Sequence, residues 1–151
     1  MNPYEMLRAQ LQKSVPFAGH TGVELLEISA EQATAQLEQR PETENHIASQ
    51  HAGAMFTLGE AASGAAMAGA FITQILSLRP VAANAQIKYV KVAKGTLTAT
   101  ARVAGDVAAL DATLKADGKV QFAVEVDIAD AEGDTVAEMS VDWYLSAKRD
   151  G

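Results

Sequence analysis

Cysteine is absent from the 151-residue chain. That one absence removes disulfides, thiolate nucleophiles and thiolate metal sites, and it suits a reducing, cytoplasmic setting. Basic residues are in the minority, 12 against 19 acidic, for a formal net charge of −7. No block of like charge exceeds a few residues, so neither nucleic acid nor an anionic membrane surface is the expected partner. The amino end carries Glu5, Arg8 and Lys13 where a secretory signal would need an apolar run. The longest uncharged stretch, Ala61 to Leu78, is dominated by Ala and Gly, diluted by Ser63, Thr73, Gln74 and Ser77, and bordered by Glu60 and Arg79. No membrane span is expected from it. Repeats, low-complexity tracts and Pro- or Ser-rich linkers are also missing, so residues 1–151 are expected to form a single domain, long enough to build its core without metal or disulfide.

What is present has a clear order. Residues 3–13 read as a short amphipathic helix with Met6, Leu7 and Leu11 at helical spacing. Strands are expected at 23–29 and 32–39, the second alternating Ala33, Ala35 and Leu37 against Thr34, Gln36 and Glu38. The polar stretch 40–50 reads as a loop. From Ala52 to about Leu76 nearly every residue is apolar or small, which marks a helix wrapped by other structure. Gly53, Gly59, Gly64 and Gly69 lie within it, and each lowers helix stability by about 1 kcal/mol relative to Ala. Something must approach that backbone closely. Alternating strands follow at about 83–92, 96–104, 120–128 and 137–145, with turns expected at Gly95, Asp117-Gly118 and Glu132-Gly133. Residues 106–115 carry no clear pattern. A buried Gly-rich helix with two strands before it and about four after it describes an α+β domain whose curled antiparallel sheet wraps a long central helix, the hotdog layout.

Within that apolar helix stands a single carboxylate, Glu60. The combination of Asn45, His51-Ala52-Gly53 and Glu60 resembles the active-site segment of hotdog-fold acyl-CoA thioesterases of the phenylacetate-pathway type. In that family Asn is followed six residues later by His-Gly-Gly, and the acid comes nine residues after the His. Both spacings hold here, with Ala52 in place of the first Gly and Glu in place of the commoner Asp. The stretch 87–103, IKYVKVAKGTLTATARV, resembles the same family's hairpin after the helix. The resemblance spans roughly residues 22–148 and has motif-level specificity only around the helix.

It implies hydrolysis of an acyl- or aryl-acyl-CoA to free acid and CoA, with no cofactor beyond the coenzyme A of the substrate. Such chemistry needs a donor for the developing oxyanion and a base or nucleophile to deliver the attacking oxygen. Gly53, at the start of a helix, is expected to present an unpaired N–H beside the positive end of the dipole. Glu60, among Met55, Phe56, Leu58, Ala61 and Ala62, is expected to be partly desolvated and thus a stronger base. Asn45 and His51 are expected to position the group. Gly53 and Glu60 lie about 10 Å apart along one helix, too far to share a thioester carbonyl. A two-fold dimer with antiparallel helices resolves this, and a homodimer or a tetramer of dimeric units is expected.

Each residue also has a plainer reading. Glu60 could pair with Lys or Arg or simply project to solvent from a gap in the sheet, His51 could be a helix-start residue, and Asn45 could be a turn residue. Ser63 is expected to bond back to its own helix. It is no nucleophile elbow, since Ala61 and Ala65 stand where that frame needs Gly. Lys91 and Lys94, with Lys88, could meet the phosphates of coenzyme A or simply protect a hairpin edge. His46 and His51 have no further ligand at metal-site spacing, so no metal is expected. The alternatives to hydrolysis are a non-catalytic acyl-CoA sensor or carrier, and a hotdog hydratase or dehydratase.

Overall fold

A computed structural model describes residues 2–148. Helix α1 covers Pro3–Ser14, its first turn held by the Asn2 side chain, which accepts from the Glu5 amide at 2.9 Å. A short helix that hydropathy did not signal, α2 (Pro16–Thr21), follows at once, with Pro16 at its first position. The two opening strands are β1 (Glu24–Ile28) and β2 (Ala33–Leu37). After a short turn at Pro41–Thr43 comes the central helix α3 (Ala52–Ala70), then β3 (Leu78–Tyr89), β4 (Leu97–Val103), helix α4 (Val107–Asp117), β5 (Lys119–Ala129) and β6 (Thr135–Ala147).

The six strands form one antiparallel sheet in the order β1-β2-β4-β5-β6-β3. Alternation along β5 and β6 sends Val120, Phe122, Val124, Val126 and Ile128, and Met139, Val141, Trp143 and Leu145, into the core. The sheet curls around α3, which packs against β1, β2, β4, β5 and β6, and α1 and α2 close over it. This is the hotdog fold. No helix among the described residues is long and apolar enough to cross a membrane.

The glycines explain how a sheet can wrap a helix so tightly. A methyl at Gly59 would collide with the Met139 sulfur on β6, one at Gly64 would sit 3.2 Å from the Trp143 ring, and one at Gly69 would collide with the Ser29 carbonyl at the end of β1. The edge strand β1 and the penultimate strand β6 therefore approach α3 where its side chains vanish.

Three sequence-based expectations need correction, and one unassigned segment gains a structure. The central helix stops at Ala70 and not near Leu76, because Phe71 leaves helical geometry (φ −112°, ψ 30°) and buries its ring against Phe122 with centroids 5.4 Å apart. Residues 106–115, unassigned from sequence, belong to α4, whose first turn is capped by the Asp106 side chain. Asp117-Gly118 is accordingly the end of that helix and not a hairpin turn: Gly118 adopts φ +74°, a left-handed value that serves a helix C-terminus as readily as a tight turn. Residues 87–103 are not a hairpin either. Strand β3 begins at Leu78 and pairs with β6, while β4 lies between β2 and β5, so the segment through Gly95 crosses between distant places in the sheet.

Candidate active site

The loop before α3 is built by its own polar groups. Asn45 Oδ1 accepts from the amides of Ile47 (3.1 Å) and Ser49 (3.0 Å), and its Nδ2 donates to Ser49 Oγ at 2.8 Å. These bonds hold Ala48 at φ +56°, a left-handed conformation that costs an L-residue about 1–2 kcal/mol. Gln50, fully buried, donates from Nε2 to the carbonyls of Leu37 and Gly95, so this loop, β2 and the β3–β4 connection are tied together. The Asn45 side chain is thus engaged within the loop, in the manner of the turn residue.

His51 is the N-cap of α3, its Nδ1 accepting from the Gly53 amide at 2.8 Å. The Gly53 N–H expected to be free is therefore already paired. A side chain at Gly53 would place its Cβ 3.1 Å from Nδ1, so the glycine gives the capping ring its room. With Nδ1 accepting, the other ring nitrogen, Nε2, is the one left to donate. The amides of Ala52 and Ala54 in the same first turn donate to no group among the described residues. Tyr89, at the end of β3, donates its hydroxyl to the Ala52 carbonyl at 2.9 Å, and burial pushes that phenol up from its ordinary range. Sequence alone placed Tyr89 only on a strand face. Together the loop, Tyr89 and Val92 border an open groove of about 340 Å³.

Two turns further along α3 the surroundings change. Glu60 is half-buried on the wall of a cavity of about 230 Å³ formed between α3, α1, α2, the turn before β3 and Trp143. Burial pushes its carboxyl above the usual carboxylate range, and it joins none of the ion pairs among the described residues. The plainer reading of Glu60 as half of a salt bridge does not apply. Its backbone is pinned instead: Ser63 Oγ donates to the Glu60 carbonyl at 2.7 Å and accepts from Trp143 Nε1 at 2.9 Å. Ser63, completely buried, bonds back to its helix as expected and also fastens that helix to β6. The Trp143 contribution had no sequence signal beyond the alternation of its strand.

Lys91 lines the groove beside the helix start, with its Nζ held by the β5–β6 turn, 3.0 Å from Asp134 and 3.4 Å from Asp130. Lys94 shares the same shallow surface depression with Asp130 and Glu132. Asp130 also accepts from the amides of Glu132 and Asp134, so this acidic group is the turn between β5 and β6. Glu60 and the α3 start remain about 10 Å apart along the helix within one chain.

Comparison with solved structures finds the same fold repeatedly. A Pseudomonas aeruginosa protein of unknown function, described as a probable thioesterase, is 25% identical over 95% of both chains with a TM-score of 0.81. A Chlorobaculum tepidum protein of unknown function aligns over 95% of this chain and 94% of its own at 14% identity and TM-score 0.80. A thioesterase enzyme from Staphylococcus aureus, in a mutant form, aligns over 87% of this chain and 99% of its own at 15% identity and TM-score 0.71. No curated protein matches this sequence. Residues 4–145 match one family throughout, and the chain belongs to it: the domain of unknown function DUF4442.

Proposed function

We propose that the protein is an acyl-CoA thioesterase of the phenylacetate-pathway type, with Glu60 as its catalytic carboxylate and an active site completed across a two-fold dimer. The observation that carries this reading is Glu60 itself: an unpaired carboxyl with a raised pKa on the wall of an otherwise apolar cavity. Burying such a group without a partner costs stability, and unpaired acids of this kind cluster at functional sites. The spacing of Asn45, His51 and Glu60 supports the same reading, as does the probable-thioesterase description of the Pseudomonas aeruginosa neighbour.

In the proposed step Glu60 draws a proton from water, and the water oxygen attacks the thioester carbonyl. The carbonyl electrons move onto oxygen, then return as the carbon–sulfur bond breaks. The CoA thiolate leaves and recovers the proton from Glu60, giving free acid and CoA; direct attack by the carboxylate followed by hydrolysis of the anhydride has the same balance. The oxyanion donors come from the partner's helix start: His51 Nε2–H and the first-turn amides, with Gly53 now shaping the cap. Asn45 holds the loop that carries them. The dimer is supported by β3, a 12-residue edge strand, largely exposed, whose outer N–H and C=O groups lack a neighbour in the single chain.

The test is release of free thiol from acyl-CoAs by the native protein and by Glu60→Gln, with sedimentation of both. Hydrolysis by a native dimer that collapses in Glu60→Gln supports the reading. Equal rates in the two proteins, or a strict monomer with full activity, would overturn it. Tight acyl-CoA binding without thiol release selects a sensor or carrier instead.

A further inference from the structure

We propose that the cavity beside Glu60 is a binding pocket for a plain hydrocarbon acyl group of about eight to ten carbons, and that it excludes acyl chains bearing hydroxyl or carboxyl groups. The assignment to acyl chains of a thioester rests on the hydrolase reading above; the size and polarity of the ligand rest on the cavity.

Size comes first. An apolar cavity of about 150 Å³ admits benzene, six heavy atoms. At the same packing, the 230 Å³ here takes roughly nine. An octanoyl, decanoyl or phenylacetyl tail fits that space, a palmitoyl tail exceeds it, and an acetyl group leaves most of it empty. The limits are set by small elements outside the central helix: Ala18 on α2 and Ile75 in the turn before β3 both line the cavity.

Polarity follows from where the lining's polar atoms are already directed. Besides Glu60, the side chains with polar atoms are Gln12 and Trp143. Gln12 donates from Nε2 to the Val23 carbonyl at 3.0 Å and accepts at Oε1 from the Leu25 amide at 2.7 Å, so both ends of its amide are engaged in tying α1 to β1. Trp143 donates its only N–H to Ser63. Only the second N–H and lone pair of the tethered Gln12 amide remain beside Glu60 to meet a hydroxyl or second carboxyl on the ligand, and a polar group entering elsewhere in the cavity loses its hydration uncompensated. Glu60 is thus the one untethered polar side chain left for the reacting end.

Trp143 is the only tryptophan in the chain and lines the cavity, so its emission reports occupancy whether or not hydrolysis occurs. The experiment titrates Glu60→Gln, which holds substrate without turnover, with acetyl-, octanoyl-, decanoyl-, palmitoyl-, phenylacetyl-, 3-hydroxyoctanoyl- and adipyl-CoA, and measures thiol release by the native protein on the same panel. Tightest emission changes are expected for octanoyl-, decanoyl- and phenylacetyl-CoA, with the hydroxylated and dicarboxylic chains weaker by about tenfold or more. Ala18→Leu should move the optimum to shorter chains and Ile75→Ala to longer ones. Equal emission responses to acetyl- and decanoyl-CoA, or an optimum that neither variant moves, would overturn the pocket assignment. So would loss of the dimer in Ala18→Leu with an unmoved optimum, which would mean that a second copy of the chain occupies the cavity. A chain-length optimum in binding with no thiol released from any substrate leaves the pocket standing and removes the hydrolase reading. Thiol release without an emission response does the reverse.

Discussion

The two ends of the site solve opposite problems on the same helix. At the start of α3 each polar side chain is bonded to nearby groups: Asn45 within its loop, Gln50 Nε2 to the carbonyls of Leu37 and Gly95, His51 to Gly53, Tyr89 to Ala52. Two turns along, Glu60 has no ion-pair partner and faces hydrocarbon. The difference shows that an unpaired carboxylate is no general property of this helix. Polar groups in the loop build shape, whereas Glu60 is left with its charge uncompensated, which is the condition for a reactive base.

The largest effect should come from breaking the reactive end. Glu60→Gln is expected to lower thioester hydrolysis by about 10²–10⁴-fold while retaining the fold, measured by thiol release. If the loop carried the chemistry instead, Asn45→Ala would produce a loss of that size and Glu60→Gln would not. The pH dependence sharpens the same point. Activity that needs ionised Glu60 should fall as pH drops through a value above the ordinary carboxylate range. Stability runs the other way: the folded-state pKa exceeds the unfolded one, so the contribution of protonated Glu60 is full below the unfolded value and is lost as pH rises through the folded one. The thermal midpoint of Glu60→Gln should therefore gain on the native protein as pH rises from the ordinary carboxylate range through the raised folded-state value. A constant difference across that window would show that Glu60 is not desolvated.

The scaffold offers a ranked comparison of its own. Gly69→Ala drives a methyl into the Ser29 carbonyl, backbone that cannot easily yield, and should destabilise by about 1–3 kcal/mol in chemical denaturation. Gly59→Ala meets only the end of the flexible Met139 side chain and should cost less. Ser63→Ala leaves the buried Trp143 N–H without its acceptor and should cost about 1–3 kcal/mol, with a change in tryptophan emission. The smallest effect tests the loop: Ala48→Gly relieves the left-handed backbone and should stabilise by a few tenths to about 1 kcal/mol, provided that Asn45 keeps its bonds.

The elements that were legible in the sequence are those whose neighbours repeat at fixed spacing. Period-two alternation placed β2, β4, β5 and β6 within a few residues, and the all-round apolar character of 52–76 marked the central helix, though past its true end at Ala70. Its glycines announced a close approach, which Met139, Trp143 and Ser29 supply. Helix α4 was missed because its apolar stripe is only three residues, Val107, Leu110 and Leu114, among exposed Ala and polar positions, and its terminal Asp117-Gly118 carries the same local chemistry as a hairpin. The partner of β3 was not legible either: strand alternation states which face is buried and says nothing about which strand lies alongside. For the site, motif spacing singled out Asn45, His51, Gly53 and Glu60, but not what their atoms bond to. The pairing of Gly53 with His51 and of Asn45 with its own loop depends on rotamers set by the fold.

By itself the sequence determined the kind of domain this is, because burial of alternating and continuous apolar surface is dictated residue by residue, and it determined that one acid would lie in an apolar helix. The tertiary structure decided the rest: that Glu60 meets a cavity and not a cation, that Trp143 and Ser63 fasten it there, and that the helix start is occupied by its own cap. Those outcomes depend on contacts between segments as much as 80 residues apart, as Ser63 and Trp143 are, and local chemistry along the chain carries no record of such distances.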